Sequence, residues 1–185
     1  MKSKKTISIV VPIYNELAVL PVFFERLVSV IMSLNKYDFE IIIVNDGSSD
    51  GSYEYLLKKK TEYSNIVIVD LSRNFGKEAA LTAGIDVSVG DALIPIDCDL
   101  QDPPELIRDL ILQWESGFEV VEAKRSERNV DSFFKKYSAN FFYFVMNFLN
   151  QGKITGNVGD FRIIDRKVVE SIKLLDERNR YMKGI

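Results

Sequence analysis

Five short runs rich in isoleucine, valine and leucine recur along this chain, each closed by polar residues and separated from the next by helical periodicity. They occupy residues 7–12, 40–44, 66–71, 92–96 and 118–123. Between the first two, Leu20, Phe23, Phe24, Leu27, Val28, Ile31 and Leu34 fall on one helical stripe, predicting a helix to about Asn35. Further helices are expected after Ser52 and over residues 77–89 and 105–115. Strands apolar at nearly every position must be covered on both faces. The alternation therefore predicts an α/β fold with a mainly parallel sheet and helices on both sides.

Such sheets bind ligands beyond the carboxyl ends of their strands. The polar clusters fall there: Tyr14-Asn15-Glu16 after the first strand, Asn45-Asp46-Gly47-Ser48 after the second, Arg73-Asn74 after the third and Asp97-Cys98-Asp99 after the fourth. Taken singly each has an ordinary explanation. Asn45 to Gly51 reads as a turn with Ser49 or Asp50 capping the next helix, and Pro12 as a strand terminator. Four loops converging on one edge are not explained that way.

The last cluster carries the most chemistry. Asp97 and Asp99, at the mouth of a buried strand, offer hard oxygen ligands suited to one Mg2+ or Mn2+, an ion that keeps positions open for substrate phosphates. Gln101 adds a neutral oxygen, and Pro103-Pro104 opens the next helix where a missing N–H costs little. Asp46 can accept a hydrogen bond from a base N–H, and Tyr14 offers an aromatic face. Arg73-Asn74-Phe75-Gly76-Lys77 is a basic loop entering a helix, a place for an anionic group. It lacks the glycine spacing of a nucleotide-binding P-loop.

With no histidine and one cysteine, the chain excludes histidine-based triads, the usual zinc ligand sets and a disulfide framework. A net charge of −3 argues against nucleic acid as the main partner. The 185 residues suffice for a single domain with a sizeable core. No window reaches the roughly 18 apolar residues that a membrane span needs.

Beyond residue 123 the rhythm weakens. Residues 124–136 hold five basic and two acidic side chains and precede an aromatic helix expected over residues 133–149. That helix either packs as core or lies in a membrane interface beside the basic run. A loop with Gly152, Gly156 and Gly159 follows, then the segment 160–166 and a helix over 167–175. The terminal stretch from Glu177 reads as the start of another element, so the chain is expected to continue.

Together, Val11 to Glu16, Asn45 to Gly51, Arg73 to Lys77 and Asp97 to Glu105 resemble the family 2 glycosyltransferases of GT-A fold, in the family's order over about the first 105 residues. The Asp-Cys-Asp-Leu-Gln-Asp-Pro-Pro-Glu form is similar to the branch that charges a polyprenyl phosphate, such as dolichyl-phosphate mannose synthases and bactoprenol glucosyltransferases. The resemblance implies one GT-A catalytic domain, with a nucleotide-sugar and metal half over 1–105 and an acceptor half over 106–185, ahead of membrane helices. It implies that Pro12, Tyr14, Glu16, Asp46, Lys77 and Asp97 hold the nucleotide-sugar, and that Asp97, Asp99 and Gln101 hold Mg2+ or Mn2+. Asp99 and Asp160 would be catalytic, and Arg125, Lys135, Lys136, Arg162 and Arg180 would bind the acceptor phosphate. The family often has Asp where this chain has Asn45.

The implied reaction is inverting transfer of a hexosyl group from UDP-glucose, UDP-N-acetylglucosamine or GDP-mannose, a UDP-sugar being favoured, to a polyprenyl phosphate. Its place would be the cytoplasmic face of the membrane, with a homo-oligomer in the full-length form. Two alternatives stay open: a family 2 transferase acting on a saccharide hydroxyl in surface polysaccharide synthesis, and a nucleotide-sugar-binding module without transfer activity.

Overall fold

The computed structural model describes residues 4–124 and 158–174. A six-stranded sheet runs β3-β2-β1-β4-β6-β5, built from β1 (Lys5–Ile13), β2 (Tyr37–Asn45), β3 (Ile66–Asp70), β4 (Ala92–Pro95), β5 (Val120–Lys124) and β6 (Val158–Asp165). The first four are mutually parallel; β6 is antiparallel to both of its neighbours. Among the described residues, five α-helices accompany them: α1 (Leu20–Ser33), α2 (Ser52–Glu62), α3 (Lys77–Val87), α4 (Ile107–Glu115) and α5 (Arg166–Lys173). A 3-10 turn at Pro104–Leu106 precedes α4, so the helix expected from 105 becomes α-helical only at Ile107.

Successive strand residues point to opposite faces, and here both faces are apolar. Ile7, Ile9, Val11, Ile41 and Ile43 join Leu20, Phe23, Phe24 and Leu27 of α1, Leu56 of α2 and Ile107, Leu110, Ile111 and Trp114 of α4. Val10, Ile42, Val44 and Leu93 turn the other way, onto Ala80, Leu81 and Ile85 of α3 and Val169 and Ile172 of α5. On that second face α3 lies close to the sheet. A Cβ on Gly84 would stand 2.4 Å from Val10 Cγ1, so only glycine permits the approach.

Among the described residues, the expected elements are present with ends shifted by a few residues, with one exception. Segment 160–166, to which the sequence reading assigns no element, is most of β6, and Gly159 belongs to the strand rather than to a loop. Phe161 and Ile163 enter the first core and Ile164 the second. Arg162, between them, forms an ion pair with Glu122 of the neighbouring β5 at 3.7 Å. This run resists recognition because Asp160, Arg162 and Asp165 interrupt it and because its partners lie far away in sequence. The final helix ends at Lys173 and is capped by Asp165, whose Oδ1 accepts from Lys167 N at 3.0 Å. The expected aromatic helix and the basic run after Lys124 lie outside the described residues. Among the described residues, no helix is long and apolar enough to cross a membrane.

Candidate functional site

The strand order reverses direction between β1 and β4, and at that point the carboxyl edge of the sheet opens. Ile96 N donates to Val10 O at 2.9 Å. The next rung of this parallel ladder would need an N–H from Pro12, which has none. Pairing stops, and the chain after β4 leaves the sheet. The crevice is a cavity of about 330 Å³ lined by Pro12 near the end of β1, Tyr14 and Glu16 after it, Asp46 after β2, Asn74 and Gly76 before α3, Lys77 at its start, and Asp97, Cys98 and Asp99 after β4. All four loops expected at this edge contribute.

Loops after β1 and β2 are bound to each other by side chains acting on backbone. Asn15 N donates to Ser48 Oγ at 2.9 Å, while Ser49 N donates to Asn15 Oδ1 at 2.8 Å. Glu16 N donates to Ser52 Oγ at 3.1 Å and Leu17 N to Asp50 Oδ2 at 3.0 Å. Asp50 also accepts from Ser52 N at 3.0 Å, so it, not Ser49, serves the first turn of α2. Asn15 sits at φ +55°, in the left-handed region that asparagine tolerates better than most residues. This clamp was not foreseen from sequence. Its signal was the density of short hydroxyl and amide side chains in both loops.

Asp46 is almost fully buried, and its two oxygens accept from Phe75 N at 2.7 Å and Gly76 N at 2.9 Å. The carboxylate expected to meet a base N–H therefore already fixes the loop that leads into α3. Asp46 also lines the cavity, and each carboxylate oxygen can accept a second hydrogen bond. Asn45 beside it donates through Nδ2 to Asp70 Oδ1 at 2.7 Å. Asn45 and Asp70 are paired across β2 and β3, so an aspartate at position 45 would set two carboxylates against each other. This gives a physical reason for the departure from the family pattern.

At the fourth loop, Lys77 Nζ donates to Asp97 Oδ2 at 2.6 Å. Asp99 Oδ1 accepts from Gln101 N at 3.0 Å, closing a turn through Leu100 at φ +62°. That conformation costs a non-glycine residue about 1 kcal/mol or more. Arg26 holds the far end of the loop, donating to both oxygens of Glu105 at 3.0 and 2.7 Å. Gln101 is exposed and lies outside the cavity lining, unlike Asp97 and Asp99.

Four carboxylates and one ammonium line the cavity among the described residues. The Glu16 carboxyl is raised above the ordinary glutamate value, by burial first and then by Asp99, Asp50 and Asp97. A raised native pKa means the charged form is penalised at neutral pH, and that the penalty fades as pH falls through the native titration. Glu16→Gln should therefore raise the melting temperature of the metal-free protein at pH 7 and flatten its stability between neutral and acidic pH. Melting curves of the variant and the parent across that range would check this. An unchanged melting temperature at pH 7 would contradict it. The Cys98 thiol, buried beside the same carboxylates, is pushed up to about 12, chiefly by desolvation, and stays protonated.

The donor set fits a hard divalent cation: carboxylate oxygens in an electronegative, partly open crevice. Among the described residues no three acidic or thiol side chains are grouped closely enough to hold a metal alone. With two carboxylates from Asp97 and Asp99, an ion here would draw its remaining ligands from phosphate oxygens and water.

Of the other expected site residues, Arg162 is buried, paired with Glu122 and not among the residues that line the cavity. The antiparallel run of β6 against β4 brings its Val158 end, and with it the backbone of Asp160, to the carboxyl edge where Asp97 lies. Arg125, Lys135, Lys136 and Arg180 lie outside the described residues.

Residues 8–173 match the family model described as glycosyl transferase family 2. An uncharacterized glycosyltransferase of Synechocystis sp. is 50% identical over 97% of this chain and 56% of its own length. A bactoprenol glucosyl transferase of Shigella phage SfV is 48% identical over 97% of this chain and 58% of its own length. The chain thus spans little more than half the length of these curated relatives. Among solved structures, a mannosyltransferase of Pyrobaculum calidifontis in complex with GDP-Man and Mn2+ has a TM-score of 0.62 at 17% identity, covering 92% of this chain and 47% of that one. Glucosyl-3-phosphoglycerate synthase of Mycobacterium tuberculosis, in complex with Mn2+, UDP-Glc and phosphoglyceric acid, has a TM-score of 0.60 at 20% identity, covering 89% and 58%. The shared architecture is the GT-A fold.

Proposed function

Because this chain belongs to glycosyl transferase family 2, we propose that it moves a hexosyl group from a nucleotide-sugar, a UDP-sugar in preference, to a polyprenyl phosphate. The observation that carries this reading is the cavity between β1 and β4, where Tyr14, Glu16, Asp46, Lys77, Asp97 and Asp99 meet. The names of the bactoprenol glucosyl transferase relatives support the polyprenyl phosphate acceptor. Residues 1–105 form the donor half, and 106–185 supply the acceptor side. The work is done at the cytoplasmic face of a membrane.

Tyr14 and Pro12 bound the space for the base, and Asp46 accepts a base N–H through the lone pairs its backbone partners leave. Asp97 and Asp99 hold Mg2+ or Mn2+. The bound ion supplies Lewis-acid stabilisation of the leaving diphosphate. Lys77 adds a second positive charge within reach of that diphosphate. A phosphate oxygen of the acceptor bonds to the anomeric carbon as the bond from that carbon to the diphosphate breaks, inverting the centre and releasing nucleoside diphosphate. With a second pKa near 6, by analogy with phosphorylated side chains, the acceptor phosphate is mostly ionised at neutral pH, so Asp160 has little proton to remove. Asp160 orients the acceptor. Arg125, Lys135, Lys136 and Arg180 neutralise it.

Calorimetric titration with UDP, UDP-glucose, UDP-N-acetylglucosamine and GDP-mannose, in Mn2+ and again in EDTA, tests the reading. Uridine donors are expected to bind with Mn2+ and to lose most of their affinity in EDTA. Preference for GDP-mannose would overturn the nucleotide assignment. No binding of any donor would overturn the site.

A further inference from the structure

Lys77 is the one cation among the described residues lining a cavity that also carries Glu16, Asp46, Asp97 and Asp99. Asp46 is already met by two backbone N–H groups, whereas Asp97 is met by the Lys77 ammonium at 2.6 Å. Both partners are partly exposed, Lys77 by 40% and Asp97 by 28% of the side chain, so the pair opens to the cavity rather than being sealed in the core. Lys77 is the first residue of α3, reached through Gly76 at φ +94°, and its four-carbon stem can carry the ammonium to more than one partner. The backbone below it is fixed, because Asp46 pins Phe75 and Gly76. Any change of partner at this position falls to the side chain.

We propose that the Lys77 ammonium is a resident counter-cation that competes with the divalent ion for Asp97, so that donor diphosphate and metal enter the site together rather than metal first. The inference rests on the reading that Asp97 and Asp99 hold the cation. Without a nucleotide, a divalent ion at Asp97 must displace Lys77 or sit beside a like charge. Either lowers its affinity. A diphosphate gives the ammonium a new anionic partner, and Asp97 is released to the metal. Lys77 therefore has opposite effects on the two ligands: it weakens binding of the bare metal and strengthens binding of the nucleotide with the metal.

Two calorimetric titrations read this, Mn2+ alone and UDP in saturating Mn2+, each on the parent protein, Lys77→Gln and Lys77→Arg. In Lys77→Gln, Mn2+ alone should bind about five- to tenfold more tightly, as expected for removing one nearby like charge in a partly screened site. UDP should bind about tenfold more weakly, the loss of one charge-assisted contact. Lys77→Arg keeps the charge and should stay near the parent in both titrations. A merely structural role would weaken both ligands together. Mn2+ affinity equal or lower in Lys77→Gln, with the parent binding Mn2+ normally, would overturn the competition. Unchanged UDP affinity would overturn the exchange of partners. Failure of all three proteins to bind Mn2+ under either condition would overturn the cation reading itself, and this inference with it.

Discussion

Alanine in place of Asp99 is expected to lower turnover on the order of a thousandfold, the scale seen when a group stabilising developing transition-state charge is removed. The side chain has two jobs in the structure. It faces the cavity with a charge, and its Oδ1 accepts from Gln101 N at 3.0 Å to shape the turn through Leu100. Asparagine separates them, because its amide oxygen can still accept from Gln101 N but carries no charge. Asp99→Asn should retain the parent's melting temperature while losing nearly as much activity as Asp99→Ala. Transfer of labelled sugar from the donor to a polyprenyl phosphate in detergent, together with a melting curve for each variant, checks both. Parent-like turnover in Asp99→Asn would mean that Asp99 builds the loop and does not hold the cation.

Gly47→Ala is the substitution expected to cost most stability. Gly47 adopts φ +68°, and a Cβ there would stand 2.5 Å from the carbonyl carbon of Arg73, 2.7 Å from its Cα and 2.7 Å from Asn74 N. These are backbone atoms, which cannot swing aside as a side chain would. Left-handed strain of about 1 kcal/mol and overpacking of about 1–3 kcal/mol give a loss of about 2–4 kcal/mol. For a chain of this size that lowers the melting temperature by about 5–15 °C. The loop that must yield runs from Arg73 to Lys77 and is held by Asp46, so donor affinity should fall as well. Gly117→Ala is the control: φ +103° brings similar strain, but nothing lies within 4 Å of the added Cβ. Its loss should be about 1 kcal/mol and its donor affinity unchanged. A Gly47→Ala protein melting within about a degree of the parent would show that the two loops can separate freely.

The legibility of the fold followed burial. Strands β1, β2 and β4 are buried nearly throughout their central stretches, so their sequences are almost purely apolar and stand out from the helical periodicity of α1 and α4. β6 shares the same sheet but carries Arg162 opposite Glu122, and its neighbours β4 and β5 are reached only through the folded sheet. Its identity as a strand depended on those partners, not on its own composition.

For the site, the sequence by itself determined which residues stand at the carboxyl edge. A parallel strand ends where its apolar run ends, and Tyr14, Glu16, Asp46, Asp97 and Asp99 follow such ends directly. It also bounded the type of chemistry, since these 185 residues contain no histidine and set carboxylates and a lysine at that edge. Only the tertiary structure decided how those groups are engaged. It placed Lys77 on Asp97, gave both oxygens of Asp46 to the Phe75 and Gly76 amides, left Gln101 outside the cavity and clamped the β1 and β2 loops through Asn15, Ser48 and Asp50. Each of these contacts joins residues 20 or more positions apart or depends on a turn's exact path. Hydrophobic pattern reports where a chain is buried. Hydrogen-bond partners are chosen by distances of a few tenths of an ångström, and those exist only once the strands are side by side.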